Sequence, residues 1–170
     1  CTFVYEIYSM AFSKKETVLI TFVVVAVLTR FLPHPPNVAP ITAVALFAGT
    51  FFNKKHWAFL MPLLAMVITD MFFGFSTITP IVYFSFLAIT AVGILFKKMN
   101  IGTVLLSSFV FFVLTNLGVW VLHYPLTPEG LITCFTLAIP FFINSLMGDI
   151  FFSAVLLFGY LYAVKRMQLA

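Results

Sequence analysis

The sequence predicts an all-α membrane protein, a single bundle of six transmembrane helices with both ends in the cytoplasm and a short or broken second span. Three observations predict it. Of 170 residues, 63% are hydrophobic and 8% charged, where soluble chains carry about 25% charged residues; mean hydropathy is +1.16. Basic residues come in pairs, Lys14-Lys15, Lys54-Lys55, Lys97-Lys98 and Lys165-Arg166, and between successive pairs lies enough apolar chain to cross a bilayer and return. Positive charge kept on the cytoplasmic side then makes three excursions, hence six spans. The other ionisable groups, Arg30, His34, Asp70, His123, Glu129 and Asp149, fall at or within the outer half.

The elements follow in order. Met10 to Glu16 reads as a natural beginning, a basic lead into an apolar helix, which would make residues 1–9 an upstream extension. Span one covers Thr17 to Leu32. A cleaved signal peptide is the competing reading, but Arg30 interrupts where a small-residue cleavage site is needed. Pro33, Pro35 and Pro36 forbid the helix from continuing. Span two, Ile41 to Phe52, covers only about 18 Å of a core about 30 Å thick, so it must be broken, tilted or buried among its neighbours. Its small residues Ala39, Ala43, Ala45, Ala48 and Gly49 suit close helix contact. Span three, Trp57 to Phe75, and span four, Pro80 to Phe96, are joined by a tight outer turn, Ser76 to Thr79. Span five runs from Ile101 to Leu122 and is followed by an outer loop, His123 to Gly130. Pro140 divides the remaining apolar stretch into an outer interfacial or capping segment, Leu131 to Ile139, and span six, Phe141 to Val164.

Composition also bounds function. The net charge of +4 belongs to cytoplasmic caps, so it argues for orientation and anionic lipid headgroups and against nucleic acid. Cys1 and Cys134 match no disulfide, metal or redox spacing. The scattered histidines, His34, His56 and His123, make no metal site. No HExxH, CxxC, phosphate loop or Ser-His-Asp set is present. The expectation is therefore a protein that is no enzyme, holds no metal or cofactor, and draws any transport energy from an ion gradient or a partner. Thr69 to Gly74 echoes Gly148 to Ser153, but an inverted repeat would place the two aspartates on opposite sides of the midplane; both fall on the outer side.

Candidate site residues come from the cost of polarity in a bilayer. An aspartate at helix centre costs about 2.5–3.5 kcal/mol on insertion scales, so Asp70 and Asp149 should face protein or water. The bland reading is an ion pair with Arg30, whose fork serves only one carboxylate well; the other needs water, a donor, a proton or a ligand. Asn116, Trp120 and His123 share one helix face at i, i+4 and i+7, and Asn144 lies beside Asp149 with Asn37 in the adjoining loop. Singly, Asn116 reads as a helix–helix hydrogen bond and Trp120 as an interfacial belt residue. Together, Arg30, Asn37, Asp70, Asn116, Trp120, His123, Asn144 and Asp149 read as the wall of an outward pocket for a polar, ring-bearing small molecule.

These residues carry a resemblance. Arg30 to Asn37, Ala43 to Phe52, Ile68-Thr69-Asp70, Thr115 to Trp120 and Ile139 to Phe142 resemble an uncharacterised bacterial integral membrane family allied to the S components of energy-coupling factor (ECF) transporters, over nearly the whole chain from Met10. The resemblance implies a substrate-binding subunit for vitamin-like micronutrients in the bacterial inner membrane, driven by a membrane coupling protein and paired ATPases. S components dock through small residues such as Ala-xxx-Ala on the first helix. Here the corresponding stretch, Ala39-xxx-Ala43 and Ala45-xxx-Gly49, lies on the second. The competing expectations are an accessory subunit without ligand, an ion-coupled carrier, and an enzyme acting on lipid or a quinone.

Overall fold

The computed structural model describes residues 14–33 and 37–167, and every regular element among them is helical. Six α-helices follow one another: α1, Lys14–Leu28, extended by a 3-10 turn at Thr29–Phe31; α2, Ile41–Phe51; α3, Lys55–Phe73; α4, Thr79–Phe96; α5, Ile101–His123; and α6, Pro128–Met167. Short connections after α2, α3, α4 and α5 force each helix to run back along its predecessor. Helices α3 to α6 are long and apolar enough to cross a membrane.

The short second helix is the hub. Ile41 to Gly49 are all buried, and α2 packs against each of the other five helices. Its 11 residues span about 16 Å, a length that shelter by protein on every side permits. Closest approach is to α4. A Cβ placed on Gly49 would lie 2.2 Å from the Thr90 carbonyl oxygen, and one on Gly93 would lie 2.6 Å from the Leu46 carbonyl oxygen. Two glycines facing one another thus bring the backbones into contact. This corrects the expectation that Ala43, Ala45 and Gly49 would dock a partner. Ala43 and Ala45 are at most 1% exposed, because the small side chains are used to admit neighbouring helices of the same chain. Ala39, half-buried, borders an internal cavity instead.

The last helix is the second correction. Pro140 does not divide it; α6 continues through 40 residues, about 60 Å, well beyond the roughly 40–45 Å of a bilayer with its headgroups. A proline inside a helix forfeits one backbone hydrogen bond and crowds the preceding turn. Contacts on both sides of Pro140 hold the axis. Phe135 and Phe142 each meet the Phe112 ring, at 5.5 and 4.5 Å between centroids, and Cys134 Sγ donates to the Asn116 carbonyl at 3.5 Å. Pro128 opens the helix, where its missing N–H is no loss, and Thr127 Oγ1 accepts from Gly130 N at 3.2 Å. Glu129 and Gly130 therefore belong to the first turn, not to the loop. At the opposite end of the bundle a reciprocal cap starts α5: Asn100 Oδ1 accepts from Thr103 N at 3.1 Å and Thr103 Oγ1 from Asn100 N at 3.0 Å.

Candidate functional site

Two adjoining cavities open in the bundle, the larger between α4, α5, α6 and the loop after α1, the smaller reaching Arg30 after α1, the start of α2 and Met66 of α3. The larger, about 270 Å³, takes Ser108, Phe111, Phe112, Thr115, Asn116 and Val119 from α5 and Ala138, Phe141, Phe142 and Ser145 from α6. Both sets recur at three- and four-residue intervals, so each is a single helix face. Ile78, Val82 and Asn37 complete the wall. The smaller cavity, about 140 Å³, shares Asn37, Val82, Phe111 and Ser145 with the first and adds Arg30, Thr42, Met66, Phe86 and Asp149. One cleft therefore has an aromatic compartment and a charged one. Asn37 closes both from the loop. Its φ of 64° is a left-handed conformation that asparagine tolerates better than most residues. The loop is seated by Gly148 of α6, where an added Cβ would lie 3.1 Å from Val38 Cγ1.

The charged groups are held differently. Arg30 Nη1 donates to Thr69 Oγ1, contacts Met66 Sδ at 3.3 Å and lies 3.7 Å from Asp70 Oδ1. The Phe73 ring lies 5.5 Å from the guanidinium carbon. Every one of these polar contacts uses Nη1, so the rest of the guanidinium fork has no hydrogen-bond partner among the described residues. Tyr83 Oη donates to Asp70 Oδ2 at 2.9 Å. Both oxygens of Asp70 are thus engaged, one by a cation and one by a neutral donor. Asp149 is 2% exposed and accepts from Ser108 Oγ at 2.7 Å, with the Thr42 hydroxyl beside it. No cation pairs with it among the described residues.

Of the eight residues expected in a pocket, Arg30, Asn37, Asn116 and Asp149 line this cleft. Asp70 stands behind Arg30. Asn116 Nδ2 is turned to the Phe112 carbonyl at 2.7 Å. The other three lie elsewhere. Trp120 Nε1 donates to the Pro125 carbonyl at 3.0 Å and secures the loop after α5. His123 Nε2 lies 3.2 Å from Thr77 Oγ1 and ties the end of α5 to the loop after α3. Asn144 is half-buried on a different face of α6 from the lining residues. His34 lies outside the described residues. Sequence reasoning missed Ser108, Ser145, Thr42, Tyr83 and the five phenylalanines, Phe86, Phe111, Phe112, Phe141 and Phe142. A usable signal existed: Ser145 and Asp149 are i, i+4, and Ser108, Phe112 and Asn116 continue one face toward the start of α5. Among the described residues no three metal-ligating side chains stand together.

A family model described as a family of unknown function, DUF6580, matches residues 10–170. The chain belongs to the DUF6580 family. All of the cleft lies within the matched segment of this DUF6580 protein. No curated protein and no solved structure matches the chain.

Proposed function

We propose that this DUF6580 protein binds a small, polar, ring-bearing molecule in its cleft and is the capture subunit of an uptake system of the S-component kind. The observation that carries the reading is the junction of a phenylalanine-walled cavity with a second one holding Arg30 and Asp149. Small-molecule sites combine apolar walls with a few convergent polar groups, in volumes of about 300–1,000 Å³. The larger cavity, about 270 Å³, lies at the small end of that scale and suits one ring or a fused pair. In this reading the basic pairs lie in the cytoplasm of a bacterium, the termini with them, and the cleft opens outward. The sequence carries no nucleotide-binding motif, so a coupling protein and ATPases would supply the energy. They would meet a face other than that of Ala43, Ala45 and Gly49, which is enclosed.

The test is reconstitution. The purified chain in liposomes, offered vitamins and nucleobase-like compounds with and without an ion gradient, should bind one class tightly without transporting it. Gradient-driven uptake by the protein alone would replace the capture subunit by an ion-coupled carrier. Asp149, buried and without a cation partner among the described residues, favours that second reading, since intramembrane acids of this sort serve ion and proton pathways. If nothing binds, the protein is an accessory subunit whose polar groups join helices, as Arg30, Asp70 and Tyr83 already do.

A further inference from the structure

We propose, resting on the ligand-binding reading above, that the cleft selects a ring-bearing organic cation, with its positive group against Asp149 and its ring among the phenylalanines. Charge around the smaller cavity is unequal among the described residues. Among the described residues the ionisable groups there are Arg30, Asp70, Tyr83 and Asp149. Arg30 lies 3.7 Å from Asp70, and the two cancel. Tyr83, a neutral donor, is engaged with the other oxygen of Asp70. Asp149 keeps only hydroxyl partners, Ser108 at 2.7 Å and Thr42. Helices α2 and α5 contribute no ionisable side chain to the lining. Among the described residues the cavity thus holds one carboxylate more than it holds cations, and that carboxylate is buried.

An arriving cation meets that carboxylate with little screening, and attraction is strongest where water is excluded. It also meets aromatic rings. Phe86 and Phe111 line the same cavity, and the electron-rich faces of such rings favour positive charge. An anion gains less. It could reach the rest of the Arg30 fork, but the charge of Arg30 is already matched by Asp70, and Asp149 in the same cavity would repel it. The size division agrees: about 140 Å³ around Asp149 suits an ammonium-sized group, and the larger compartment suits a ring.

Three probes of one shape and different charge test this: 2-phenylethylammonium, 2-phenylethanol and 3-phenylpropionate, titrated calorimetrically into the full chain in nanodiscs. The ammonium should bind at least about tenfold more tightly than the other two, and Asp149→Asn should abolish the preference. Because Asp149 also joins α6 to α5, Phe111→Leu provides a second variant that keeps the carboxylate. It should weaken the ammonium more than the alcohol. Equal binding of alcohol and ammonium, or a preference that survives Asp149→Asn, overturns the cation assignment and leaves the ligand-binding reading standing. Failure of all three probes to bind the folded protein likewise overturns the cation assignment, whereas the ligand-binding reading falls only if vitamins and nucleobase-like compounds also fail to bind.

Discussion

Asp70 and Asp149 sit on long helices in the same half of the bundle, yet their surroundings give them different work. Asp70 is saturated, with Arg30 on one oxygen and Tyr83 on the other, and it fastens the end of α1 and the start of α4 to α3. Tyr83→Phe should cost about 1–3 kcal/mol, because it strips a buried carboxylate of one donor without adding any compensating contact. Equilibrium unfolding in mixed detergent measures the loss; unaltered stability would mean that Arg30 alone satisfies Asp70. Among the described residues Asp149 has no such cation. The rotation of α6 explains why Asn144 was expected in the cleft and Ser145 was not. A step of one residue turns a side chain by about 100° around the helix, and a run of apolar residues on every side gives no phase from which to choose between them. Asp149 itself could be read from the sequence because ionisable groups are scarce there. Its neutral partner Ser108 could not, since one hydroxyl among many in an apolar helix carries no distinguishing mark.

At the scale of elements, the contact of α2 with α4 is close enough that both facing residues, Gly49 and Gly93, leave no room for a Cβ. Gly49→Ala would place a methyl group 2.2 Å from a backbone oxygen of Thr90, which no side-chain rotation can relieve. The helices must move apart, at a cost of about 1–3 kcal/mol or more. Gly102→Ala is the matched control, since its added carbon meets only the Asn100 side chain at 3.3 Å and alanine favours the helix by about 1 kcal/mol. Thermal unfolding should separate the pair, with Gly49→Ala melting lower and Gly102→Ala near the parent. Equal melting temperatures would refute the account of the crossing. The small-residue stretch in α2 showed in the sequence that something packs closely there, but such a stretch does not name its partner. The unbroken α6 was equally hidden. Proline ends helices often enough to be read as a boundary, while the contacts of Phe135 and Phe142 with Phe112 that carry the axis past Pro140 join residues distant in sequence.

Across the whole molecule, the basic pairs and the loop prolines marked most helix ends to within two or three residues, because charge and missing N–H groups act locally. Lys14 and Lys55 open helices, Lys97 follows α4, and Arg166 lies in the last turn of α6. Four of the six helices are long enough to cross a membrane by themselves. The orientation that charge implies is open to direct measurement. In a background lacking Cys1 and Cys134, cysteines replacing His56 and Pro125 should differ in intact cells: an impermeant thiol reagent should label the second and spare the first. Equal labelling from outside would reject the arrangement. Cys134 is 2% exposed, so its replacement should be by alanine or serine, which do not overfill the site.

The enclosure of α2 bears on how such a chain comes to be made. Hydrocarbon rewards a segment for its length and for the apolar surface it shows to lipid, and α2 has little of either to offer. It does not partition; it is adopted. Helices α1 and α3 flank it in the chain and can screen part of its backbone during synthesis. The side that Gly49 presents stays unfilled until Gly93 emerges near the middle of the sequence. On this packing α2 should reach its buried place only once α4 is there to close over it.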